Sequence, residues 1–247
     1  SFYYPPDLCA GSFRCIALVR ALKALGADVE VLTTLPNRYA TFDADAPKEE
    51  IKEDVLVRRI ALPAHQSGML DQVKAFSCFA RYAMKHAKAG QYDLVFATSS
   101  RLMTASLGAW IARRLKAPLY LDIRDIFVDT IGDVLPSNIT FFLKPVLSKV
   151  EKLTCRKAQR INLVSKGFEE YFKARYPAVG FRYFTNGVDE AFVRAIKVDA
   201  VPKQKPLQVL YAGNLGEGQG LHEVIPALAK RMEGMLEFKI IGDGGCR

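Results

Sequence analysis

The run Leu207-Gln208-Val209-Leu210-Tyr211-Ala212 is followed by a loop with glycines at 213, 216, 218 and 220, by Leu221 to Glu233, and by Phe238-Lys239-Ile240-Ile241-Gly242-Asp243-Gly244-Gly245. The first and last segments are short apolar runs bounded by glycine, and the middle one repeats apolar residues at helical spacing. Strand, glycine loop, helix, strand and glycine turn make a βαβ unit, with parallel strands and a right-handed crossover. Glycines at a strand's carboxyl end let the backbone approach a phosphate, and the next helix offers free N–H groups and a positive dipole end. Many α/β turns carry glycines with no ligand, so phosphate binding and plain loop packing both stand at this point.

Upstream, residues 189–206 carry proline and lysine without clear periodicity and read as an interdomain linker. Two strands and one helix cannot bury a core of their own. The expected organisation is therefore a first domain over 1–188, the linker, and the opening βαβ portion of a second, incomplete domain over 207–247.

The first domain reads as alternating helices and strands. Phe13, Ile16, Ala17, Val19, Leu22 and Leu25 mark a helix closed by Gly26. Asp28 to Thr33 alternates as a strand. A loop, a helix and a strand open the chain without the central strand that a doubly wound sheet places first, which is expected to be lacking. Residues 36–54 read as polar loop and Val55 to Ile60 as a strand. Leu70 to Lys88 reads as a helix with basic residues, suited either to packing on a sheet or to lying against anionic headgroups. Asp93 to Ala97 is a buried-type strand whose Thr98-Ser99-Ser100 offers caps for a helix over Leu102 to Leu115. Leu119 to Ile123 is a strand that delivers Arg124 and Asp125 to its carboxyl end, where open α/β sheets bind ligands. Asn138 to Ala158 reads as a helix containing Pro145. Arg160 to Val164 is a strand ending in the cap Ser165, and Phe181 to Phe184 closes the domain.

Composition narrows the function. The chain has 247 residues, 50% hydrophobic and 25% charged, which suits one large or two modest α/β domains. A net charge of +9 calls for an anionic partner, whether phosphorylated ligand or acidic lipid surface. No RNP, zinc-finger or helix-turn-helix signature points to nucleic acid. The five cysteines form no CxxC or Cys/His pairing, which argues against metal and disulfide roles and for a reducing, cytoplasmic setting. His65, His86 and His222 sit in no triad or metal spacing.

Taken together, several motifs resemble those of the retaining glycosyltransferases of family 4, which have the GT-B fold. These are Pro5-Pro6-Asp7-Leu8-Cys9-Ala10-Gly11-Ser12-Phe13-Arg14, Leu121-Asp122-Ile123-Arg124-Asp125, Asn186-Gly187-Val188-Asp189, Tyr211-Ala212-Gly213-Asn214-Leu215-Gly216 and Ile240-Ile241-Gly242-Asp243-Gly244. Their order is the family's, and they span the chain. The chain especially resembles the branch that transfers N-acetylated amino sugars, such as N-acetylfucosamine, in O-antigen and capsule assembly.

The resemblance implies two Rossmann-like domains, the first holding the acceptor and the second the nucleotide-sugar. It implies that Gly11 and Ser12 approach the donor diphosphate, and that Gly213, Asn214, Gly216, Gly242 and Gly244 are donor-side positions. Asp125 falls where relatives place a polar residue, often His, beside the transferred sugar, and so is the catalytic candidate. Arg14 and Arg124 are expected on the acceptor side. The donor is expected to be a UDP-sugar, with no cofactor and no metal requirement, and the acceptor a lipid-linked saccharide at an anionic membrane. Asn214 and Gln219 stand where many relatives carry Arg and Lys, which shifts phosphate binding toward backbone amides. The family's paired-glutamate motif is expected beyond Arg247, so the 247-residue chain is expected to be inactive as a transferase by itself.

The residues also admit readings from other classes. Asp122, Arg124 and Asp125 suit a structural ion-pair cluster as well as a site. The chain suits a non-catalytic nucleotide-binding or interaction module that dimerises through exposed sheet edges. A nucleotide-sugar epimerase is disfavoured, because no G-x-G-x-x-G opens the chain and no Tyr-x-x-x-Lys pair is present.

Overall fold

Apolar runs flanked by glycine and polar caps become strands, and the 3.6-residue patterns between them become helices. The computed structural model describes residues 1–37, 45–63, 69–87, 92–99, 101–134, 137–188, 193, 206–216 and 219–244. The chain divides into two compact units, Ser1–Gly187 and Val188–Arg247. The linker over 189–206 falls almost entirely outside the described residues, as do Ser100, Gly218, Gly245, His65 and Cys246.

The first unit begins with α1 (Ala10–Ala24) and β1 (Val29–Thr34). Gly26 ends α1 with φ +82, the left-handed conformation that glycine adopts at a helix C-terminus without strain. Then come β2 (Glu49–Lys52), β3 (Val55–Ile60), α2 (Met69–Ala87), β4 (Val95–Ser99), α3 (Leu102–Leu115) and β5 (Leu119–Ile123). They are followed by α4 (Phe127–Val134), α5 (Ser137–Cys155), β6 (Arg160–Leu163), α6 (Glu169–Arg175) and β7 (Gly180–Arg182). The second unit holds β8 (Leu207–Ala212), α7 (Leu221–Arg231) and β9 (Leu236–Ile241).

Two sheets form in the first unit. One has the order β1-β3-β2, with β1 and β3 parallel and β2 antiparallel to β3. The other is wholly parallel in the order β4-β5-β6-β7. Leu121, Ile161 and Leu163 have no exposure at all, and α3 packs its Ala105 and Ala112 on them. Gly108 permits that close approach, since a Cβ there would lie 2.5 Å from the Ala97 Cβ.

Among the described residues no strand joins the two sheets, so β1 and β4 are both sheet edges. Residues of both strands, with α1, α2 and α3, line a cavity of about 170 Å³ between them. The opening residues run beside the end of β1, where the Phe2 carbonyl accepts hydrogen bonds from the Thr33 (3.3 Å) and Thr34 (2.8 Å) hydroxyls.

Three local expectations are corrected. Part of the 36–54 loop is the strand β2, an exposed edge joined to β3 by Glu53-Asp54 at φ 54 and 57, a two-residue hairpin turn. Residues 127–134 form α4, which no pattern had marked. Thr98 and Ser99 do not cap α3, and Ser100 lies outside the described residues: the N-cap is Arg101 with no side-chain cap bond, Thr98 Oγ1 donates to Asp122, and Ser99 Oγ donates to the Arg101 carbonyl. Ser165 does cap, accepting the Gly167 N–H at 3.1 Å in the 3₁₀ turn that leads into α6.

In the second unit β8 and β9 are parallel, and no residue of α7 is buried. Leu210 (62% exposed) and Ile241 (62%) show how little apolar surface this unit covers by itself.

Candidate functional site

Strand register creates the first unit's polar centre. Thr98 on β4, Asp122 on β5 and Asn162 on β6 are neighbours across the sheet, all three buried. Three adjacent polar groups in an apolar interior must satisfy one another. Asp122, 2% exposed, accepts from Thr98 Oγ1 (3.2 Å) and Asn162 Nδ2 (2.7 Å). Arg14, projecting from α1, grips both carboxylate oxygens, Nε to Oδ2 and Nη2 to Oδ1, each at 2.8 Å. That charge-assisted fork is the strong form of such a bond, and it raises the Arg14 pKa.

Arg14 also donates to the carbonyls of Phe184 (2.9 Å) and Thr185 (2.9 Å) and to Asn186 Oδ1 (3.3 Å). These five bonds match the five N–H donors of a guanidinium. Asn162 Oδ1 accepts the Phe184 N–H at 2.7 Å, so the same network pins the chain where it leaves β7. Any acceptor contact made by Arg14 requires breaking one of these bonds.

A second group assembles at the start of α1. Cys9 is an extended N-cap with no side-chain cap bond, and the first turn contains no acidic residue. Its terminal N–H groups and dipole therefore concentrate positive potential there. Gly11 and Ser12 are buried, and the fully buried Ser12 Oγ has no hydrogen-bond partner. A Cβ at Gly11 would lie 2.6 Å from Arg124 Nη1, so the Arg124 guanidinium passes directly over this turn. Backbone places it there: the Arg124 N–H donates to the Ser99 carbonyl at 3.0 Å, just beyond β5.

Asp125 follows Arg124 and borders a cavity of about 20 Å³ with Arg101, Phe127, Glu151 and Phe172. Partial burial raises its pKa, and Arg124 pulls it down. Gly11, Ser12, Arg14, Arg124 and Asp125 thus gather around the α1 N-terminus and the carboxyl end of β5.

In the second unit, Gly213, Asn214, Gly216, Gly242 and Gly244 come together as two interlocked loops. The Gly213 N–H donates to Ile241 O and the Leu215 N–H to Asp243 O, each at 2.9 Å, extending the β8–β9 ladder. A Cβ at Gly242 would lie 1.8 Å from the Gly213 carbonyl oxygen, and one at Gly244 2.4 Å from that of Leu215. Only glycine fits at either place. Gln219 Oε1 accepts from Gly216 N–H and from Asn214 Nδ2, both at 3.0 Å. The amides of Gly213 and Gly216 are therefore already engaged within the protein.

Two polar features escaped the sequence reading. Asn162 lies inside the Arg160 to Val164 strand, where an Asn within Ile-Asn-Leu is itself a sign of a buried bond. Glu151, 4% exposed, accepts from Tyr176 Oη (2.6 Å) and Tyr171 Oη (3.2 Å), and burial raises its pKa. A single acid in a lysine-rich helix was the available signal.

The family described as "Glycosyl transferase 4-like domain" matches residues 14–187. Among solved structures, sucrose-phosphate synthase from Thermosynechococcus elongatus is 17% identical with a TM-score of 0.59, over 92% of this chain and 56% of that one. HepE of Anabaena, in complex with UDP and glucose, is 16% identical with a TM-score of 0.55, over 99% of this chain and 60% of that one. This chain thus spans a little over half the length of those structures. At such identities the likeness shows the fold, which is GT-B-type α/β. No curated protein matches the chain.

Proposed function

Because the chain belongs to the glycosyl transferase 4-like domain family, we propose that it is the acceptor-side domain and the opening of the donor-side domain of a retaining sugar transferase. The donor is a UDP-linked sugar of the N-acetylated amino type. The acceptor is a lipid-linked saccharide of cell-surface polysaccharide synthesis, met at the cytoplasmic face of an anionic membrane.

One observation carries this reading. The α1 N-terminus, uncapped by any side chain and free of acidic residues in its first turn, lies beneath the Arg124 guanidinium at the carboxyl end of β5. The Ala10 and Gly11 N–H groups, a helix dipole and a guanidinium suit a diphosphate, whose negative charge grows as it departs, while the Ser12 N–H already donates to the Cys9 carbonyl at 3.0 Å. In this proposal Gly11 lets the phosphate oxygens approach the backbone, and Ser12 adds its buried, unpartnered hydroxyl. Arg124 carries charge to the diphosphate, which reassigns it from the acceptor side. Asp125 stands beside the transferred sugar, and Arg14 holds the floor of the acceptor side through Asp122.

In the second unit the glycine loops first serve to pack on each other, which favours indirect support of a donor over direct phosphate contact. HepE was solved with UDP and glucose, and that supports a uridine nucleotide for this chain. The open edges of β1, β4 and β9 make self-association the accompanying proposal.

Calorimetric titration of UDP, UDP-N-acetylglucosamine and CMP tests the reading. Saturable binding of the uridine diphosphates, weakened at least tenfold in Arg124→Ala, is expected. Equal binding of all three, or none, contradicts it.

A further inference from the structure

Helix α5 turns two different faces outward and inward. Its only acidic residue, Glu151, is buried against Tyr171 and Tyr176. The outward face carries Phe141 (75% exposed), Phe142 (76%), Val146 (56%) and Leu153 (59%). Phe141 and Phe142 stand edge to face, ring centroids 5.4 Å apart, with no larger apolar cluster around them. Interleaved with them are the exposed cations Lys149, Lys152 and Arg156, just past or within the helix's second half. On the packed neighbour α4, Asp129 pairs with Lys144 at 3.6 Å, and none of Lys149, Lys152 and Arg156 pairs with an acid among the described residues.

We propose that this outward face of α5 is a docking surface for an anionic lipid bilayer. A helix with exposed aromatics at one end, cations along the same side and no exposed acid of its own has the composition of an interfacial helix. The rings insert at the headgroup boundary, and the lysines meet anionic headgroups. An acidic protein partner would answer the charge, but a pair of phenylalanines 75% and 76% exposed suits a deformable lipid surface better. Among the described residues no helix is long and apolar enough to cross a membrane, so the contact is peripheral. The opposite face of α5 supplies Glu151, Thr154 and Cys155 to the small cavity that Asp125 borders. The same helix therefore links the bilayer to the site, which is what a lipid-linked acceptor requires. This inference rests on the proposed acceptor class and moves the lipid contact from α2 to α5.

The test is co-sedimentation of the full chain with vesicles of phosphatidylcholine containing phosphatidylglycerol, and with vesicles of phosphatidylcholine alone. Three proteins are compared: the native chain, Phe141→Ser/Phe142→Ser, and Lys149→Glu/Lys152→Glu. All altered residues are exposed, and circular dichroism checks that each variant is folded. The native chain is expected to bind the anionic vesicles selectively, with each double variant weakened about tenfold or more. Equal binding to both vesicle types, unchanged binding by either variant, or no binding by the native chain overturns the proposal. A loss caused instead by Lys74→Glu/Lys85→Glu assigns the contact to α2 and overturns it too. Uridine nucleotide binding is measured on the same variants and is expected to be unchanged, so failure of lipid docking and failure of the transferase reading give different results.

Discussion

Replacing Asp122 with Ala removes the carboxylate that Arg14, Thr98 and Asn162 all address. The Arg14 side chain is 17% exposed and that of Asp122 3%, so the variant leaves a guanidinium largely withdrawn from water without its counter-ion. Breaking a buried pair from one side costs about 3–5 kcal/mol, mostly the penalty of the stranded charge. A domain of this size loses roughly 2–4 °C in melting temperature per kcal/mol, so a fall of about 6–20 °C is expected. The single tryptophan, Trp110, lies on α3 in the first unit and reports its unfolding by fluorescence. Arg14→Met should cost a similar amount, and the double variant Arg14→Met/Asp122→Leu less than the sum, since it strands neither charge. A fall below about 1 kcal/mol in Asp122→Ala would refute this reasoning: the fork would then contribute little, and Arg14 would be free to serve an acceptor.

Other consequences are equally open to measurement. Burial raises the Glu151 pKa in the folded state, so folding favours its protonated form. Stability is therefore fullest below the unfolded value near 4.5 and declines as pH rises toward the raised folded value, by about 1.4 kcal/mol for each unit between them. Glu151→Gln keeps an acceptor for both tyrosines and should flatten that decline in urea unfolding; an unchanged pH profile contradicts it. Gly108→Ala should push α3 off β4 and cost about 1–3 kcal/mol, since its Cβ would sit 2.5 Å from that of Ala97; an unaltered thermal midpoint speaks against such close packing. Gly242→Ala should separate the two glycine loops and speed hydrogen exchange at the Gly213 and Leu215 amides, whereas unchanged protection would show that the loops tolerate a methyl group. Open edges at β1, β4 and β9 should give concentration-dependent association by light scattering, and a strict monomer at all concentrations is the contrary result.

The elements most buried around the parallel sheet were the most legible. Leu119–Ile123 and Leu102–Leu115 fall where their apolar patterns place them, because burial on both faces leaves a continuous run and packing on a sheet leaves a 3.6-residue stripe. β2 was illegible for the converse reason: Glu49-Glu50-Ile51-Lys52 is a mostly exposed edge, and an edge shows no apolar alternation. α4 contains Gly132 and two aspartates, too little pattern over eight residues to mark a helix. At the site, Arg124 and Asp125 could be placed from the strand that carries them. The Arg14–Asp122 fork could not, because its partners lie 108 positions apart and meet only through the fold. The glycines of the second unit were seen correctly as special, but sequence could not separate closeness to a ligand from closeness to another loop. Gly242 and Gly244 have the second reason in full.

The central claim is that the start of α1, under Arg124, receives a diphosphate. The most direct measurement is amide-resolved NMR of the isotope-labelled chain titrated with UDP. The account predicts saturable shifts centred on the amides of Ala10, Gly11 and Ser12 and on Arg124, lost in Arg124→Ala. Shifts confined to other surfaces, or none at UDP concentrations of about 10 mM, where even affinities near 4 kcal/mol would register, would contradict it.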